Sequence, residues 1–86
     1  MKIWKFGLAI AELQYITAPK VIGFLDVQVQ NGMPCLWVQV DESTPSESYK
    51  IRIIGTGNPM PDNPGMHVGT FQMHGTLVFH AFVEAV

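Results

Sequence analysis

Charge is what this chain has least of. Asp, Glu, Lys and Arg make up 14% of its 86 residues, against about 25% in an ordinary globular domain. A small domain has a large surface for its volume. So few charges on so much surface imply that neutral or apolar surface is covered by a second copy, and a homo-oligomer is expected. Basic residues are scarcest of all: five, with Arg52 the only arginine, in a chain of formal charge -2. A groove that follows a polymeric nucleic acid needs clustered Lys and Arg, so that class of partner is excluded. A small anion, which one or two cations can hold, is not.

Cysteine is nearly absent too. Cys35 is alone, which rules out an intrachain disulfide and fits a reducing compartment. No apolar run approaches the ~20 residues of a membrane-spanning helix. The N-terminal "MKIWKFGLAIAEL" has the lysines of a secretory leader, but its apolar stretch after Lys5 is cut short by Glu12. Soluble cytoplasm is the expectation. Repeats, low-complexity tracts and internal linkers are lacking, so residues 1–86 are read as one domain. Helical periodicity is also lacking, apart from a brief hint over Leu8 to Leu13 that Gly7 and its β-rich flanks oppose.

What the chain does have is period-two alternation rich in β-branched and aromatic residues, the pattern of half-buried strands. It predicts about seven short strands: Met1 to Ile10, Leu13 to Ala18, Val21 to Gln30, Met33 to Asp41, Tyr49 to Gly55, His67 to Met73 and Thr76 to Val83. "ESTPSES" and "GTGNPMPDNPG" (Gly55 to Gly65) are expected loops, and His74-Gly75 an expected turn. The fold class is all-β, a small antiparallel sandwich or barrel. Its clearest element is a hairpin over Val27 to Val40, turning at Asn31-Gly32.

That hairpin fixes two faces. Pairing across the turn sets Gln28 against Cys35, Val27 against Leu36, Asp26 against Trp37 and Leu25 against Val38. Strict alternation then gives a core face of Leu25, Val27, Leu36, Val38 and Val40, joined by Tyr49, Ile51 and Ile53. The second face carries Asp26, Gln28, Cys35, Trp37, Gln39, Lys50 and Arg52. One register places Arg52 directly opposite Trp37, making a row with Asp26. On such a face Trp37 offers a stacking surface, Arg52 and Lys50 offer charge, and Gln28 and Gln39 offer hydrogen-bonding edges, as a nucleotide-like anion requires. Two plainer readings stand beside it: Trp37 as the centre of a subunit interface, or Arg52 simply stacking on Trp37 and pairing with Asp26.

Catalytic signatures are missing. His67, His74 and His80 have no recognised metal-ligand spacing, and Cys35 has no close partner. "GTGNP" lacks the Lys-Ser/Thr ending of a phosphate loop, although Thr56 and Asn58 are polar groups well placed to line a binding loop. No nucleophile, carboxylate pair or metal cluster can be assembled, so an enzyme is not expected and neither a cofactor nor a metal is implied.

The strings "KIWKF", "VQVQNGMPCLW", "GTGNP" and "GTFQMHGTLVFHAF" together resemble a family of short proteins encoded by bacteriophages and prophages, over essentially the whole chain. The resemblance implies a phage origin and a site of action in the cytoplasm of the infected bacterium. It assigns no residue roles. Small phage accessory proteins often act by binding, some by sequestering nucleotide signals of host immunity. The expected function is therefore a non-enzymatic, homo-oligomeric counter-defence sponge for a small anionic, nucleotide-derived ligand. Its site would comprise Trp37, Arg52, Lys50, Gln39, Gln28, Thr56 and Asn58. The alternatives are a module that binds and inhibits a host protein, or a structural virion component.

Overall fold

A computed structural model describes all of residues 1–86. It contains five antiparallel strands and no helix: β1 (Lys2–Gly7), β2 (Gln14–Gln30), β3 (Met33–Gly55), β4 (Met66–Met73) and β5 (Leu77–Ala85). With no helix at all, none is long and apolar enough to cross a membrane.

The β2–β3 hairpin is the spine. Asn31 (φ 53°) and Gly32 (φ 76°) both take positive φ, the requirement of the tight hairpin turn whose twist suits its flanking strands. Gln30 pairs with Met33, and the expected pairs Gln28–Cys35, Val27–Leu36 and Asp26–Trp37 follow in register. Along one edge of β3, β1 pairs with residues 35–40 and β5 with residues 49–55. β4 continues the sheet beyond β5.

Five strands replace the seven expected, because two predicted breaks are absorbed as bulges. Pro19 was expected to end a strand; instead β2 runs through it, with a register shift between Pro19 and Lys20. A proline has no N–H to place in a ladder and is tolerated at such an irregularity. Opposite it, the pairing jumps from Asp41 to Ser46, so part of the polar "ESTPSES" stretch bulges from a continuous β3 rather than forming a loop. Side chains hold this bulge. Asp41 Oδ1 accepts from the Ser43 N–H (3.0 Å) and Ser43 Oγ (2.6 Å). Thr44 Oγ1 accepts from the Lys20 N–H (2.8 Å) and donates to the Asp41 carbonyl (2.7 Å). Through its Ser43 hydrogen bonds, Asp41 titrates below the ordinary carboxylate value.

Two more bulges in β2, between Val21 and Gly23 and between Phe24 and Asp26, correct the predicted core. Leu25, expected inside, is 48% exposed, and Phe24 takes its place opposite Val38. An extra residue in one strand turns its own side chain out and restores the alternation after it. Tyr49 braces this region. Its hydroxyl accepts from the Val21 N–H (2.8 Å), donates to Glu47 (3.1 Å), and its ring meets Phe24 edge-on. Burial raises its pKa. Ile10, expected on a strand, lies beyond the end of β1 and is exposed.

Bulges bend strands and strengthen their twist, and here the sheet curls into a half-barrel instead of dividing into a two-layer sandwich. Val27, Leu36, Val38, Val40, Tyr49, Ile51 and Ile53 are buried on the inner face as the alternation requires, packed with Phe71, Met73, Ala81 and Val83 from β4 and β5. The curl brings β4 against β2 without a ladder between them. Gly69 makes that approach possible, since a Cβ there would lie 2.8 Å from Val27 Cγ1.

Candidate functional site

The second face of the hairpin is the outer face of the half-barrel, and the bulge in β3 divides it into two arms. This corrects the predicted row of Asp26, Trp37 and Arg52. Asp26 does sit opposite Trp37. Arg52, however, lies on the other arm of the same strand, paired with Phe82 of β5. The error arose from treating the polar 42–48 stretch as a reversal; because β3 continues through it, Trp37 and Arg52 cannot be cross-strand neighbours.

The arm nearer the turn holds Gln28, Trp37 and Gln39, with Lys5 of β1 opposite Trp37 and Gly7 opposite Cys35. Several of its polar groups are engaged with one another. Asp26 accepts from the Val27 N–H and from Gln28 Nε2, both at 2.8 Å, and Lys5 Nζ donates to Gln30 Oε1 at 2.8 Å. Cys35 is buried, its thiol 3.6 Å from the Met33 carbonyl. Met33 lies across Gly7, where a Cβ would meet its sulfur.

The other arm holds Lys50 and Arg52 and ends in the loop bearing Thr56 and Asn58, so four of the seven expected residues share one neighbourhood. Tyr15, 57% exposed, lies opposite Lys50 on β2, and Glu84 opposite it on β5. Glu84 pairs with Lys50 at 3.5 Å. Arg52 has no carboxylate within ion-pairing distance, and its Nε is buried with no hydrogen-bond partner. Beyond Phe82 stands His67 of β4, ring centroids 5.2 Å apart.

His67 and His80 project from this same face, while His74 occupies the turn with φ 52°. They are linked by hydroxyls. His67 Nε2 lies 3.2 Å from Thr70 Oγ1, which lies 2.9 Å from His80 Nδ1; His80 Nε2 lies 2.8 Å from Thr56 Oγ1. No group of three or more His, Cys, Asp or Glu side chains is arranged to hold a metal ion.

The Gly55–Asn58 turn closes with the Asn58 N–H donating to the Gly55 carbonyl (3.0 Å), and Gly57 supplies the positive φ (90°) inside it. Behind it lie two cavities. One, about 350 Å³, opens toward the β4–β5 turn between Thr56, Asn58 and Val78. The other, about 320 Å³, lies on the outer face between Ile54, Met60, His80 and Phe82. Phe82 was not among the expected site residues. Its parity with His80, two positions earlier on β5, was the available signal, but only the β3–β5 register reveals that it adjoins Arg52.

Fold and site together describe one small, curled all-β sheet whose convex face carries Arg52, its Nε buried without a partner, beside Phe82. Over residues 1–86 the chain matches the model of a domain of unknown function, DUF7352, and it belongs to that family. No curated protein and no solved structure matches it.

Proposed function

We propose that this protein is a non-enzymatic binding protein of phage origin that sequesters a small anionic, nucleotide-derived ligand in the cytoplasm of an infected bacterium. Arg52 carries the reading. A buried, unpaired donor costs about 1–3 kcal/mol, and more where the group is charged. An arriving anion relieves that cost while gaining charge-assisted hydrogen bonds from a guanidinium shaped for phosphate or carboxylate. Phe82, the cross-strand neighbour of Arg52, offers a flat surface beside the charge, with His67 beyond it and Tyr15 opposite Lys50, the role expected of Trp37. Base stacking on such rings contributes about 1–3 kcal/mol. Phage origin and location come from the resemblance of the sequence strings, and sequestration needs only abundance and affinity.

Trp37, Gln28 and Gln39 then belong to a separate surface. Trp37 is half-buried, Ile3 is 64% exposed and Met33 50% exposed, on the edge strand β1 or on the part of β3 next to it. An apolar surface with an aromatic centre suits a second copy of the chain. A host protein docked there is the alternative reading.

The test is to incubate the purified chain with a nucleotide extract of infected cells, wash it, release what is bound and identify it by mass spectrometry. Recovery of a nucleotide that Arg52→Ala fails to retain supports sequestration. Recovery of no small molecule by a folded wild-type chain refutes it.

A further inference from the structure

We infer that the Trp37 surface is an isologous dimer interface whose two-fold axis runs along β3, seating Lys5 of each copy on Asp26 of the other. This rests on the reading of that surface as a contact with a second copy. The register lays three rows across β1, β3 and β2 on the outer face: Ile3–Gln39–Gly23, Lys5–Trp37–Asp26 and Gly7–Cys35–Gln28. The middle row has a cation at one end, an anion at the other and an indole between. Its ends lie two strand spacings apart, about 10 Å, and neither charge forms an ion pair within the chain. Both keep capacity for one. Lys5 Nζ carries three N–H donors and gives one to Gln30. The Asp26 carboxylate accepts only from two neutral groups, the Val27 N–H and Gln28 Nε2.

An isologous interface must be complementary to itself, and two rotations can lay this face on its own copy. Rotation about the row sets Lys5 against the partner's Lys5 and Asp26 against the partner's Asp26. Rotation about β3 reverses each row instead, so Lys5 meets the partner's Asp26. Trp37 and Gln39 then lie on the axis and meet their own copies. Offset indoles and two amides exchanging donor and acceptor suit those positions. Shape agrees with charge. Reversal places Ile3, 64% exposed, over the partner's Gly23, where a Cβ would find no atom nearer than Leu25 Cδ2 at 3.9 Å. The other rotation would set Ile3 over the partner's Gly7, a position that the Met33 side chain already covers. On a convex face the flanking strands fall away from β3, and the long Lys5 side chain spans the widening gap. Burial of Trp37 supplies affinity, and the paired charges supply orientation. A surface that fits itself under one rotation is what a second copy requires and a host protein does not.

The experiment combines light scattering with carbodiimide coupling, which joins an amine to a carboxylate where the two touch. Wild type should be a dimer of about twice 9.5 kDa, and Trp37→Ala a monomer. Every change acts twice in a two-fold interface, so Lys5→Glu and Asp26→Lys should each give a cooperatively melting monomer. Mixed in equal amounts, these two variants should recover the dimer, and so should the chain carrying both changes. Coupling a mixture of isotopically light and heavy wild-type chains should yield Lys5–Asp26 crosslinks that join one light and one heavy peptide. A dimer that Trp37→Ala dissociates but both charge reversals leave intact would overturn this axis and leave the subunit contact standing. Absence of the light–heavy Lys5–Asp26 crosslink, or failure of two cooperatively melting reversal variants to pair, would do the same. A monomeric wild type, or a dimer that survives Trp37→Ala, would overturn the axis and the contact together.

Discussion

The two arms of the outer face are built on the same pair of strands and share one inner core, yet they differ in what their polar groups have left to offer. Near the turn, Asp26, Gln28, Lys5 and Gln30 engage one another, and the exposed remainder is dominated by Trp37 and neighbouring aliphatic surface. Beyond the β3 bulge, the one ion pair joins Lys50 to Glu84, while Arg52 Nε has no partner. A polar face whose groups satisfy one another is stable by itself and has little reason to bind a small polar molecule. A face holding a partly desolvated, unpaired cation lowers its free energy by acquiring an acceptor. Gln39 and the Trp37 indole also lack a protein partner, so what distinguishes the arms is that Arg52 Nε is buried as well as unpartnered.

The largest contrast predicted lies between the inner and outer faces of either arm. Leu36 and Ile51 are each 1% exposed in the common core. Truncating either to alanine should cost on the order of 2–5 kcal/mol and lower the melting temperature sharply, whereas Arg52→Ala should leave a cooperatively folding protein. Should Leu36→Ala and Ile51→Ala differ severalfold in cost, the arms would not share one core.

Next comes the contrast between the arms themselves. Arg52→Ala should weaken the captured anion by about 1.5–3 kcal/mol, a change of roughly 10- to 150-fold in Kd. Trp37→Ala should leave that affinity unchanged and instead shift the oligomeric state toward a species of about 9.5 kDa in light scattering. If Trp37→Ala abolishes ligand binding in a chain that stays assembled, the division of the outer face is wrong.

Much of this arrangement was legible in the residues. Asn31-Gly32 fixed a turn, and from that turn the register of Asp26 with Trp37 and the inward set of Val27, Leu36 and Val38 followed by parity alone. The alternation failed at Leu25, because a bulge is set by how a strand must bend over its neighbours, a tertiary demand that local pattern does not record. The polar stretch "ESTPSES" reads as a loop for the same reason: Asp41, Ser43 and Thr44 satisfy the backbone locally, and nothing in composition separates a bulge so held from a reversal. That single misreading moved Arg52 beside Trp37. Lys50 and Arg52 were placed on the correct face, since parity survives an error in register, but their neighbours Tyr15, Phe82 and His67 come from strands whose pairing depends on β3 being continuous.

The turn linking the strands gives a smaller effect. At Gly32 a Cβ would find no atom within 4 Å, so space is not limiting and only the positive φ of 76° resists a side chain. Gly32→Val should therefore cost about 1–2 kcal/mol through backbone strain alone, acting on the arm bearing Trp37 and sparing anion affinity. A melting temperature equal to that of wild type would mean the turn adopts another geometry in solution.

The smallest effect concerns the bulge that separates the arms. Asp41 is held below its ordinary pKa by hydrogen bonds from the Ser43 side chain and backbone. A carboxylate with a depressed folded-state pKa contributes stability that is fully present above its unfolded value and is lost as pH falls through the folded one. The contribution of Asp41 should accordingly be intact at neutral pH and disappear below about pH 4, where an unfolded aspartate also protonates. The group is exposed, so the effect is slight and is best read as a difference. Wild type and Asp41→Ala should differ most in melting temperature above pH 5 and converge as the solution becomes strongly acidic, since protonation and truncation remove the same charged acceptor. Two curves that stay parallel from pH 7 to pH 2 would mean that the Asp41 charge does not help hold the bulge. The hydroxyl of Thr44, bridging the Lys20 N–H and the Asp41 carbonyl, would then be what keeps the two arms apart.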